Sequence, residues 1–236
     1  RHALAFVDGV HAQPQGGFAW VLDWHDGRAE VVDGTNHCYG LAFVLLAHAH
    51  ALAAGQAEAA DGLERCWQLM ERRFWEPARS LYADEATPDW QVGAYRGQNA
   101  NMHACEAMMA AYRATRDRKY LDRAIALSEA VSATLAAKSA GLPGVIPECA
   151  ALVWEHFRHD WAIDPDYNRD DRSNIFRPWG FQPGHQTEWT KLLLQLDRLC
   201  AEAGVAPAPA RLARARLLFD AAMRFGWDEA HGGLVY

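Results

Sequence analysis

At 236 residues with a formal net charge of -7, the chain is long enough to bury one large core without covalent staples. Its Lys and Arg residues stand mostly singly among acids, so no basic stripe exists for a polyanion to follow, and nucleic acid is not an expected partner. No apolar run approaches the roughly 20 residues of a membrane helix, and the opening Arg1-His2-Ala3-Leu4 has no signal-peptide pattern, so a soluble protein with no membrane partner is expected.

The chain begins inside an apolar helical pattern without a cap. An aromatic, a polar turn and a small extended patch then run from Phe6 through His11 to Gly16-Gly17-Phe18-Ala19-Trp20. Apolar residues at three-to-four spacing predict helices from Tyr39 to Ala54, Leu63 to Phe74, Met102 to Thr115, Tyr120 to Ala136, Trp189 to Ala203 and Leu212 to Phe225. Gly55, the stretch Arg116-Asp117-Arg118, and Gly204 with Pro207 and Pro209 break these runs where consecutive helices must reverse.

The aromatic-turn-patch motif recurs from Phe74-Trp75-Glu76 to Ser80-Leu81-Tyr82 and from Phe225-Gly226-Trp227-Asp228 to Gly232-Gly233-Leu234-Val235-Tyr236. Such self-similarity marks an all-α array of repeated helix pairs. If the repeat closes into a ring, the inner helices are buried and their N-terminal ends gather polar groups at one mouth. The last motif reads as the opening of a hairpin, so residues 1–236 are expected to be a single domain cut from a longer chain. From Gly141 to Pro183 five prolines forbid long helices and large aromatics, Trp154, Phe157, Trp161, Tyr167, Phe176 and Trp179 among them, crowd in. A loop this long either carries function or packs its aromatics on the rim of the ring.

Two predicted helix starts place a histidine and a glutamate three apart on one face: His103 with Glu106, and His185 with Glu188. Imidazole titrates near neutrality and can accept and return a carbon-bound proton, while a carboxylate orients the ring and stabilises its cation. Alone the pattern is weak, but both pairs follow small or turn residues at the N-terminal end of an apolar helix, and Gly184 before His185 allows close ligand approach. A metal site would need further inward carboxylates on matching helices, and the sequence does not reveal them. His48 and His50 cannot share a helix face and read as one buried and one exposed residue.

The ten tryptophans suit stacking on sugars but are more often core. The five cysteines, Cys38, Cys66, Cys105, Cys149 and Cys200, show no Cys-x-x-Cys spacing and read as reduced residues of a cytoplasmic protein. No dinucleotide, Walker or nucleophile-elbow motif is present, so no cofactor is expected and the candidate chemistry uses histidines and carboxylates.

The run Tyr95-Arg96-Gly97-Gln98-Asn99-Ala100-Asn101-Met102-His103 resembles a signature of the N-acylglucosamine 2-epimerase family, which includes mannose isomerases and the sulfoquinovose isomerase. Similar segments run through Trp154-Glu155-His156-Phe157, Asp160-Trp161, Tyr167-Asn168-Arg169-Asp170 and the block from Phe176 to Trp189. The segments Gly16-Gly17-Phe18 and His37 to Ala47 resemble the family in the same order, so the resemblance spans nearly the whole chain.

That resemblance implies an (α/α)6 barrel, incomplete at both ends, and metal-independent isomerisation or C2 inversion of an unphosphorylated hexose or N-acylhexosamine through an enediol or enolate-like intermediate. It implies His185 as a catalytic histidine with Glu188 as its partner, His103 and Asn99 on the sugar, and Arg177, Tyr39 and Trp189 lining the pocket. The family's other catalytic histidine and a binding arginine lie on segments that this chain lacks. The expected partner is a small sugar, and a homodimer is compatible. The rival readings are a glycoside hydrolase or lyase of the same fold using Glu106, Asp160 or Glu188, and a binding module without activity.

Overall fold

The computed structural model describes residues 1–235. A short first helix, α1 (His2–Phe6), runs on as a π-helical turn to His11. Three antiparallel helix pairs follow: α2 (Cys38–Ala53) with α3 (Ala59–Arg73), α4 (Gln98–Thr115) with α5 (Arg118–Glu129, extended by a π-helical turn to Leu135), and α6 (Pro183–Glu202) with α7 (Pro209–Gly226).

The reversals fall where the breakers predict. Gly55 at φ +87° and Gly204 at φ +70° supply left-handed turns after α2 and α6. Arg116 closes α4 in the same conformation, and the Asp117 carboxylate caps α5 by accepting from the Lys119 N–H at 3.1 Å.

Burial separates inner from outer helices. On α3 only one stripe, Leu63, Cys66, Leu69 and Met70, is buried, as for a helix with one wet face. On α4 small and sulfur-bearing residues are buried nearly all round, including Ala100, Met102, Ala104, Cys105, Ala107, Met108 and Ala111. It packs against α2, α5 and α6, and the absence of bulk at the alanines lets those neighbours approach. Helices α2, α4 and α6 therefore form the inner row.

All three predicted turn motifs form antiparallel contacts: Ala12 opposite Phe18, Trp75 opposite Tyr82, and Trp227 bridged to Leu234; Tyr236 lies outside the described residues. Other pairings went unpredicted. Val21–His25 and Arg28–Asp33 form a hairpin about Asp26-Gly27, both with positive φ, as a two-residue Asp-Gly turn requires. Two contacts fix the entries to inner helices: Asn36 pairs with Ala86 just before α2, and Gly97 pairs with His156 just before α4. Pairs of two residues carry no periodicity by which a sequence could announce them.

Candidate active site

The pairing of Gly97 with His156 carries the loop residue Glu155 to the start of α4. The Gln98 N–H donates to the Glu155 carbonyl at 3.0 Å, and the Glu155 N–H donates to Gly180 O at 2.9 Å. Glu155 is thereby fixed through its main chain on both sides, and it is only 2% exposed. On the other flank Gly97 N–H donates to the buried Asp84 carboxylate, and Asn101 holds Tyr82 by accepting from its N–H at 2.8 Å and donating to its carbonyl at 3.0 Å.

Four side chains from three elements converge here. The Trp189 indole N–H donates to Gln98 Oε1 at 2.7 Å, Gln98 Nε2 donates to Glu155 Oε2 at 3.0 Å, and both Glu155 carboxylate oxygens lie 2.9 Å from His185 Nδ1. Burial of His185 pulls its pKa down, but the charge and hydrogen bond of Glu155, with the charge of Glu188 behind them, leave it above the ordinary imidazole value. The His185 side chain keeps 22% exposure.

Beside it, α4 and α6 bring His103, Glu106 and Glu188 together, with potential ligand atoms within 4.8 Å of one another. His103 Nδ1 lies 3.3 Å from Glu106, and Lys191 Nζ lies 3.2 Å from Glu106 and 3.5 Å from Glu188. The hydrogen bond from His103 and the Lys191 contact hold Glu106 at a pKa of about 2. Tyr39, at the start of α2, sets its ring edge-on to His103 with centroids 5.2 Å apart, and Phe43 packs on the same imidazole at 4.7 Å. Asn99 sits in the first turn of α4 with its buried Oδ1 lacking a hydrogen-bond partner.

A rim of aromatic and charged groups continues outward. Trp20 contacts His37, Tyr39 and Phe176 at centroid distances of 4.5, 6.1 and 5.4 Å. Arg177 donates to Glu85 at 2.6 Å and to the Tyr167 hydroxyl at 3.0 Å, and it stacks over Tyr95 at 3.9 Å.

His185, Glu188, His103, Asn99 and Tyr39 thus lie in the first two turns of the three inner helices, at one end of the row. Three expectations need correction. The carboxylate on the His185 ring is Glu155, thirty residues away in the loop, while Glu188 meets Lys191 instead. Trp189, expected on the pocket wall, is fully buried and spends its N–H on Gln98. Inward carboxylates on matching helices do exist, since Glu106 and Glu188 meet across α4 and α6, with the Lys191 ammonium already between them. Arg177 faces Glu85 and Tyr95 at the rim.

Glu155, Gln98 and Lys191 were not singled out as functional residues. The first two stand inside the family-like segments, which was the available signal. His156, next to Glu155, has both ring nitrogens engaged, with Tyr95 Oη at 2.8 Å and Pro178 O at 2.6 Å, and is structural.

The family model for N-acylglucosamine 2-epimerase (GlcNAc 2-epimerase) matches residues 1–236. The chain belongs to this family. It is 46% identical over 236 residues to a D-mannose isomerase of Marinomonas mediterranea, covering all of this chain and 55% of that protein. To a D-mannose isomerase of Thermobifida fusca it is 37% identical over 214 residues, 89% of this chain and 49% of the other. A crystal structure of D-mannose isomerase superposes with a TM-score of 0.88 at 46% identity, over 100% of this chain and 56% of that one.

A cellobiose 2-epimerase from Bacillus thermoamylovorans superposes with a TM-score of 0.75 at 16% identity, over 97% of this chain and 54% of that one. That likeness concerns the fold, the (α/α)6 barrel of the N-acylglucosamine 2-epimerase family, to which the three helix pairs correspond. The chain spans about half the length of the curated relatives it matches.

Proposed function

We propose that the protein is an aldose-ketose isomerase of a free, unphosphorylated hexose, D-mannose in the first instance, and that His185 carries the hydrogen at C2. The observation that supports this most is the His185 ring itself, tied at Nδ1 to a buried carboxylate and partly exposed at the mouth where His103, Glu188 and Asn99 gather. The D-mannose isomerases at 46% and 37% identity point to the substrate class.

In the open-chain aldose the C1 carbonyl acidifies the C2 hydrogen. His185 removes that proton, the electron pair forms a C1–C2 enediol, and the same imidazolium returns the proton to C1 while O1 gains a proton and O2 loses one. His103, backed by Glu106, and Asn99 are placed to serve the hydroxyl protons and to hold the sugar, with Tyr39 as an apolar wall. One imidazole on one face of the enediol suffices for this transfer, whereas inversion at C2 needs a second acid-base group on the opposite face.

Two candidate carboxyls of the hydrolase reading are poor proton donors near neutrality: Glu106 is held at about 2, and the Ala162 backbone N–H holds Asp160 below its usual value. Five unpaired cysteines support a cytoplasmic enzyme. We also read residues 1–236 as part of one barrel domain, and a homodimer as its assembly.

Incubation of the protein with D-mannose, followed by carbon-13 spectra, is expected to yield D-fructose. Formation of D-glucose alone would replace isomerisation by epimerisation, and an unchanged sugar with mannose, N-acylglucosamine and cellobiose would refute the proposal.

A further inference from the structure

We infer that Glu155 is the positioning residue that selects the proton-carrying nitrogen of His185: its carboxylate, clamped by Gln98 and Trp189, holds the Nδ1 hydrogen and leaves Nε2 to exchange hydrogen with the sugar. This inference rests on the proposed role of His185.

The proton assignment follows from one donor that cannot be ambiguous. An indole N–H only donates, so the Gln98 atom 2.7 Å from Trp189 Nε1 is the amide oxygen. The Gln98 amide nitrogen therefore faces Glu155 Oε2 and sits 3.1 Å from His185 Nδ1. The Glu155 carboxylate carries only lone pairs and both its oxygens face Nδ1 at 2.9 Å, so Nδ1 donates to it, while Gln98 Nε2, farther off at 3.1 Å, gives its hydrogen to Glu155 Oε2. A neutral ring protonated at Nε2 would set the Nδ1 lone pair against two carboxylate oxygens at 2.9 Å. The tautomer is thus Nδ1–H when the ring is neutral, and the hydrogen that comes and goes is the one on Nε2.

The clamp is held on every side. Glu155 is pinned through its own N–H and carbonyl, and Gln98 and Trp189 are fully buried. The charges facing His185 are Glu155 from the loop and Glu188 from its own helix, while the remaining neighbours in the clamp, Gln98 and Trp189, are neutral. Glu155 is buried and turns both carboxylate oxygens to His185 Nδ1, so it acts through His185.

The test uses protein labelled with nitrogen-15 in histidine, with the His185 signals identified by their loss in His185→Asn. Long-range proton–nitrogen spectra of the wild type above the His185 midpoint are expected to show Nδ1 protonated and Nε2 bare. Glu155→Gln, which removes the charge and keeps the shape, is expected to lower the His185 midpoint. It should cut kcat by about 100-fold or more with KM changed by less than about threefold. The acidic limb of the rate profile should move to lower pH with it, because the carboxylate favours the imidazolium, and Glu155→Asp should recover part of the rate.

A neutral ring found protonated at Nε2 in the wild type overturns the inference without any variant, and so does an unmoved midpoint in Glu155→Gln. If the spectra agree but no sugar is converted, the functional reading falls and the tautomer assignment stands. If His185 converts sugar while protonated at Nε2, this inference falls alone.

Discussion

Replacing Trp189 by Phe tests the clamp by its energetics. The indole is fully buried and its N–H meets Gln98 Oε1 at 2.7 Å, while Gln98 itself is 0% exposed. Phe strands that carbonyl oxygen away from water, a cost of about 1–3 kcal/mol, and the lost ring atoms leave a void that adds roughly 1–2 kcal/mol. A destabilisation of about 3 kcal/mol follows, or a fall in Tm of roughly 6–12 °C.

The companion change Gln98→Met removes the acceptor and strands the indole N–H instead. In the double variant neither half of the pair is left unpaired, so it should be less destabilised than the two single changes predict together, by about 1–3 kcal/mol. Urea unfolding followed by far-ultraviolet circular dichroism on the four proteins closes the cycle. Additivity within about 0.5 kcal/mol would refute the pairing on which the orientation of Gln98 depends.

Three further predictions concern stability. A Cβ at Gly62 would lie 2.1 Å from His48 Cε1, and His48 is buried between α2 and α3 with Nε2 3.1 Å from Asp8; Gly62→Ala is expected to cost about 1–3 kcal/mol despite better helix propensity. Gly184→Ala, with nothing within 4 Å, should gain about 0.5–1 kcal/mol in the same urea unfolding, and the reverse order of the two would contradict the packing. Burial pushes Asp84 up to about 7 from 3.8, so the folded chain holds a proton there that the unfolded chain has lost. Stability is therefore expected to fall as pH rises from about 4 to about 7 and then to level off, and Asp84→Asn should flatten that slope. An Asp84→Asn protein with the wild-type slope between pH 5 and pH 8 would show that Asp84 is not the group responsible.

The helical half of the fold was legible because its signals are local: apolar spacing, Gly55, Gly204 and the Arg116-Asp117 break each sit within one turn of what they determine. The three hairpin motifs were legible as repeats. The pairing of Gly97 with His156 was not, since it joins residues far apart in the chain over two positions, with no period to detect. Glu155 reaches His185 only through that pairing, and the sequence offered a nearer carboxylate, Glu188, at a helix-compatible spacing that turned out to serve Lys191. Trp189 was misplaced for a related reason: it lies one turn after His185 on the same face of α6, and only packing decides that the indole is buried against Gln98 and not left on the pocket wall. His103 was legible from its helix start, whereas Asn99 and Tyr39 came from the family resemblance, and the starts of α4 and α2 carry all three to one end of the inner row.

The proposed transfer of the C2 hydrogen by the His185 ring is open to direct measurement. Incubation in deuterium oxide with D-mannose, with the recovered hexoses examined by mass and proton spectra, addresses it directly. Deuterium is expected at C2 of recovered mannose and at C1 of the ketose for the wild type, with loss of both by at least about 100-fold in His185→Asn with the fold intact. Wild-type exchange persisting in His185→Asn would contradict it.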